Sequence, residues 1–164
     1  KSKNDYITKT LTAEDYFYKA WNNQSDYQYK IDNLTIALGK ESTLVLDIQI
    51  YNNRAVSYSK LGFHQAALND LNNSIKIIND NDLRQDWKAH ILNERGQQFY
   101  KLGDYQAALD DFTNVLRIDN GFGEAYQNRG VTRRKLNLPY CSDYKRACDL
   151  GTEKCCEWYY KQCR

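Results

Sequence analysis

The chain has 164 residues with one proline, eight glycines and a formal net charge of +2, long enough for one domain with a real core. So small a net charge argues against a nucleic-acid backbone partner, since such domains carry a pronounced basic stripe, and no apolar run approaches the roughly 18 residues of a membrane-spanning helix. Scarce proline and glycine beside frequent alanine and leucine point to helices rather than a turn-rich β fold.

The opening KSKNDY and the absence of methionine suggest a chain trimmed from a longer precursor, with residues 1–10 a polar tail. In the first helix pair, Phe17 and Trp21 are expected on the core side, and DYQYKIDNLTIAL (26–38) supplies the second helix. YNNRAVSYSKLG (51–62) and LNERGQQFYKLG (92–103) then align on Gly62 and Gly103, and YQNRGVTRRKLN (126–137) is a third copy. Each copy predicts a first helix, a turn at Gly or Asn and a second helix; KLGFHQAALNDL (60–71) and KLGDYQAALDDF (101–112) are the best-kept phrase.

In these first helices a large residue (Tyr51, Leu92, Tyr126) is followed four positions later by a small one (Ala55, Gly96, Gly130). Residues four apart share a helical face, so each pair makes a notch that another helix can approach. The second helices answer with Ala67, Leu71, Ser74 and with Ala108, Phe112, Val115, small and apolar at three and four spacing. One hairpin of about 34 residues cannot bury both faces alone, so neighbours must stack. NDNDLRQDWKAH (79–90) lengthens one step between copies. It predicts a loop at Asn79–Asp82 with an acidic N-cap, an early start to the next helix, and Trp87 in the seam between hairpins.

The notch, the repeated phrase and the later 34-residue step resemble the tetratricopeptide repeat family over residues 48–138. The resemblance implies an all-α fold: a right-handed α-solenoid of helix-turn-helix repeats at about 11–44, 48–81, 89–122 and 123–151. A capping helix at 152–163 would complete a single domain over 11–164. Two departures stand out. Tyr18 occupies a slot where the family has a small residue, and Asn79 and Asn120 replace its proline, so they are expected to end their helices.

The resemblance also implies a concave face built from the first helices. Gln49, Asn52, Val56 and Lys60 would supply one part; His90, Asn93, Gln97, Tyr100 and Lys101 the next; Gln127, Val131, Arg134 and Lys135 the last. Its amides suit a peptide main chain and its cations an acidic segment. YNNRAVSYSKLG also resembles tetratricopeptide co-chaperones that grip a C-terminal carboxylate, with Asn53 matching the clamp's asparagine. His90 and Glu94 stand where that clamp needs Lys and Arg, and Glu94 would repel a carboxylate, so the clamp is rejected.

Arg54, Arg95 and Arg129 recur at one place in the first helices, and Asp70, Asp111 and Asp143 at one place in the second. A charge common to every repeat is expected to serve what the repeats share, namely helix packing, and arginine's planar fork suits a partly buried partner.

All five cysteines lie within residues 141–163. Cys141 and Cys148 share a face of one helix and Cys156 and Cys163 a face of the next. An antiparallel hairpin turning near Thr152 sets Cys148 against Cys156 and Cys141 against Cys163, predicting two disulfides with Cys155 left over. A single four-cysteine zinc site is disfavoured, because the two cysteines on each helix lie about 10.5 Å apart along the axis. ACDLGTEKCC further resembles the loop of secreted bacterial cysteine-rich helical repeat proteins, which implies an extracytoplasmic location. The alternative is a cytoplasmic protein with reduced, buried thiols.

The reading that follows is a non-catalytic adaptor, without cofactor or metal, that binds a protein or peptide segment in a concave groove. The only histidines, His64 and His90, fall in different repeats, and no Gly-rich phosphate loop is present. Two alternatives remain: a small-molecule-binding or hydrolytic protein, as the cysteine-rich resemblance implies, and a structural component that self-associates through its exposed ends.

Overall fold

The computed structural model describes residues 10–23 and 25–163. They form α1 (Ala13–Asn22), α2 (Tyr27–Leu38), α3 (Leu44–Lys60), α4 (His64–Asp80), α5 (Gln85–Leu102), α6 (Tyr105–Ile118), α7 (Gly123–Lys135), α8 (Cys141–Asp149) and α9 (Glu153–Gln162), with no strand among the described residues. Consecutive helices pack on one another, so the chain is an all-α helical-repeat solenoid. None of these helices is long and apolar enough to cross a membrane.

Local chemistry sets the ends of several helices. Thr12, Asp26, Thr43 and Asp104 cap α1, α2, α3 and α6, each side chain accepting from a backbone N–H of the first turn. The turns after α3, α5 and α7 each contain a left-handed residue: Gly62 at φ 83°, Gly103 at 84° and Asn137 at 56°. Glycine takes that conformation freely, and asparagine is among the few other residues that tolerate it.

Three apolar clusters run along the stack, one among α1 to α3, a central one from α3 to α7, and one under α9. The notches close as expected. A Cβ on Gly96 would lie 2.7 Å from a Phe112 ring carbon, and one on Gly130 would lie 2.7 Å from the Tyr144 ring. Only a residue without a side chain lets α6 and α8 come so near. Trp87 packs half-buried on the central cluster, as the seam reading predicts.

The recurring charges are rivets. Arg54 donates to both carboxylate oxygens of Asp70 at 2.8 and 2.7 Å, and Arg95 does the same to Asp111. Each arginine also reaches back to the preceding second helix, Arg54 to Thr35 at 2.9 Å and Arg95 to Asn72 at 2.8 Å. Arg129 pairs with Asp143, which accepts from Arg133 as well. The cysteines pair as the hairpin predicts, Cys141 with Cys163 and Cys148 with Cys156, and Cys155 is buried and free.

Three expectations need correction. The helix α4 runs through Asn79 to Asp80, and the left-handed residue of the following turn is Asp82. Helix α5 does start early, but its N-cap is Arg84, which makes no side-chain cap and instead pairs with Asp86 at 2.6 Å. Trp21 is 59% exposed and Tyr18 61%, while Ala13 and Ala20 are buried. Phe17 does pack on the first cluster with Ala13 and Ala20, as expected. Trp21 follows Ala20 by one residue, about 100° round the helix, and so falls off the edge of that buried face.

Candidate functional site

The first helices of successive hairpins lie side by side and are bridged by side chains. Lys101 on α5 donates to Ser59 Oγ on α3 at 2.8 Å, and Gln97 donates to Glu124 on α7 at 3.0 Å. Asn128 Nδ2 on α7 donates to Asn93 Oδ1 on α5 at 3.2 Å. Between these bridges the surface is hollowed into a row of three cavities.

The central cavity, of about 230 Å³, brings together Val56 and Lys60 of α3, Glu94, Gln97 and Lys101 of α5, and Glu124 of α7. The next, of about 180 Å³, shares Gln97 and Lys101 and adds Tyr100, Asn128 and Val131. The first, of about 280 Å³, shares Val56 and is walled by Phe17, Trp21, Tyr27 and Leu34. The three therefore join end to end through Val56 and through the Gln97–Lys101 turn of α5.

Two lysines and two glutamates meet in the central cavity. Burial pushes the Glu94 carboxyl above the ordinary glutamate value, and the nearby charge of Glu124 adds to the rise, against the pull of Lys101, Lys60 and His90. Such a site can neutralise an acidic group of a partner with its lysines, while its glutamates oppose excess negative charge.

Six of the residues expected on the concave face line these cavities: Val56, Lys60, Gln97, Tyr100, Lys101 and Val131. Gln49 lines a shallower hollow with Phe17, Trp21 and Asn53, and Asn52 lies on α3. Asn52 is half-buried, and its Oδ1 has no donor. Asn93 must be corrected: at 2% exposure and bonded to Asn128 it joins α5 to α7 and is closed to a ligand. His90 lies edge-on to Phe122, with ring centres 5.0 Å apart. Arg134 donates to Gln162 of α9 at 3.1 Å, Gln127 is half-buried, and Lys135 is exposed.

Sequence reasoning missed the cavity roles of Trp21, which it took as core, of Tyr27 and of Glu124; Phe17, expected on the core side, packs on the first cluster and lines the cavity as well. The aromatic density of α1 was a signal, but Trp21 sits one position past Ala20, at the edge of the buried face.

The class defined by this geometry is a helical-repeat scaffold with an open inner face. Residues 89–122 match the family model of the tetratricopeptide repeat, and the chain is a tetratricopeptide repeat protein. This is in general a non-catalytic protein-interaction fold. No curated protein matches the chain.

Solved structures share the fold. MamA superposes with a TM-score of 0.73 at 17% identity, over 87% of this chain and 80% of its own. YrrB, a TPR protein with an unusual peptide-binding site, gives 0.70 at 18% identity over 85% of this chain and 69% of its own. Bacillus thuringiensis PlcR, solved with the peptide PapR7 and DNA, gives 0.73 at 17% identity over 91% of this chain. This chain spans only 57% of PlcR.

Proposed function

We propose that the protein is a non-catalytic adaptor that holds an extended protein segment along the inner face of α3, α5 and α7. The observation that carries this reading is the central cavity, where Val56, Lys60, Gln97 and Lys101 from two successive hairpins face one channel. An acidic residue of the segment would sit between the two lysines, and the amides would bond its main chain. The peptide-binding site named for YrrB and the PapR7 complex of PlcR support this use of the fold. The two cystines support work in an oxidising, extracytoplasmic setting.

Site-specific photocrosslinking tests the assignment. A benzophenone side chain at Val56 or Gln97 is expected to crosslink a partner, whereas one at Asp110, exposed on α6, is not. Crosslinking from Asp110 alone would move the binding surface to the convex side and refute the groove.

A further inference from the structure

The first cavity lies beyond the face that the family resemblance marks as the groove. We propose that it is an anchor site for one aromatic side chain of the bound segment, flanked in that segment by acidic residues; this rests on the groove reading above.

Size is the first argument. At about 280 Å³ the cavity falls just below the roughly 300 to 1,000 Å³ of sites for drug-sized molecules, which suits a single large side chain. Its walls are the second. Phe17 and Trp21 stack with centroids 6.2 Å apart, yet Trp21 stays 59% exposed, so a large aromatic surface is presented and left open. An incoming ring would extend that stack and cover it.

Charge selects among apolar partners. Lys30, above the Tyr27 ring at 5.4 Å, is the one charged residue that lines the cavity among the described residues. A lysine or arginine side chain, which such rings otherwise attract, would meet this like charge, whereas an acidic neighbour of an aromatic would be matched by it. Continuity completes the case. Val56 borders both this cavity and the central one, so a ring seated here leaves its own chain pointed at Lys60 and Lys101.

A phage-displayed random dodecapeptide library, selected on the full chain, supplies the probes, and fluorescence anisotropy reads their Kd. Enriched peptides are expected to carry Phe, Tyr or Trp close to Asp or Glu. Trp21→Ala should weaken the best of them about ten-fold or more, as loss of an aromatic anchor does, and Lys30→Glu should weaken it too. With the peptide's aromatic changed to alanine, most of the Trp21→Ala effect should vanish. Enriched peptides without an aromatic, or a Trp21→Ala affinity close to that of the parent, would overturn the anchor.

The groove reading has its own control in Gln97→Ala combined with Lys101→Ala. Binding lost there but kept in Trp21→Ala leaves the groove standing and removes the anchor. Indifference to both, or no enriched peptide at all, removes both. A light-scattering mass that rises with concentration and is abolished by Trp21→Ala would give the cavity to a second copy of this chain and overturn the proposal.

Discussion

Replacing Gly96 by alanine would place a methyl carbon 2.7 Å from Cε1 of Phe112, 3.0 Å from Cζ and 3.1 Å from Cδ1. Ordinary carbon contacts lie at about 3.5–4.0 Å, so the ring or the whole of α6 must retreat by roughly 1 Å. Phe112 is 1% exposed, and its neighbours Ala108 and Val115 along the same stripe are fully buried, so the ring can give way only toward the cavity of about 180 Å³ that it lines. Overpacking of this kind costs about 1–3 kcal/mol, while alanine recovers about 1 kcal/mol of helix propensity over glycine. The net should be a loss of up to about 2 kcal/mol, seen as a Tm lower by up to roughly 8 °C in calorimetry with the disulfides intact. Phe112→Leu in the same chain removes the clashing ring edge, so the double variant should lose less than the sum of the singles by about 1 kcal/mol. A Gly96→Ala protein that is more stable than the parent, or strict additivity in the cycle, would show that propensity alone governs the site and that the notch is not a contact.

Asp70→Ala strands a guanidinium whose side chain is 14% exposed, and urea unfolding should register a loss of about 3–5 kcal/mol; a loss below about 1 kcal/mol would mean that the rivet is solvated in practice. Glu94 ionises against a burial penalty, because its folded pKa is raised above the ordinary 4.5. Glu94→Gln should therefore stabilise at neutral pH, and the gain should fade as pH falls through the raised pKa toward 4.5 and below. A gain that grows on acidification would refute the sign. Thiol titration of the denatured, unreduced protein should find one free thiol, that of Cys155, and five would refute the staples.

The hairpin register was legible because its signals are redundant. Gly96 and Gly130 announce close approach, Phe112 and Tyr144 fill the gap, and the Arg–Asp pairs recur with the same partners. The cystines were legible because a helical hairpin of known turn leaves one antiparallel register for cysteines seven apart.

What failed were readings that depend on one neighbour. Asn93 looks like any surface amide until Asn128, one repeat later, is seen to satisfy it. Trp21 looks like core four positions after Phe17, yet the buried face of α1 runs through Ala13, Phe17 and Ala20 and leaves it at the edge, 59% exposed. A periodic pattern fixes which residues share a face; it does not fix how wide a neighbour covers that face.

The rivets also explain why the first hairpin differs from the rest. Arg54 and Arg95 each bind an aspartate on their own second helix and a polar group on the preceding one. Helix α1 has no described hairpin before it, so an arginine there would lack half of its partners, and α1 contains none. A buried aspartate opposite would then be an uncompensated charge costing several kcal/mol. The position holds Asn33 instead, a neutral amide that turns back to donate to Tyr29 O of its own helix at 2.9 Å. At the other end Asp143 takes two arginines, and the last hairpin is closed by cystines. Because stacking is handled by these charges and notches, the inner side chains that carry no such duty are free to differ between repeats. That freedom gives α1 an open aromatic face where the later hairpins have charges, and makes the two ends of the groove chemically distinct.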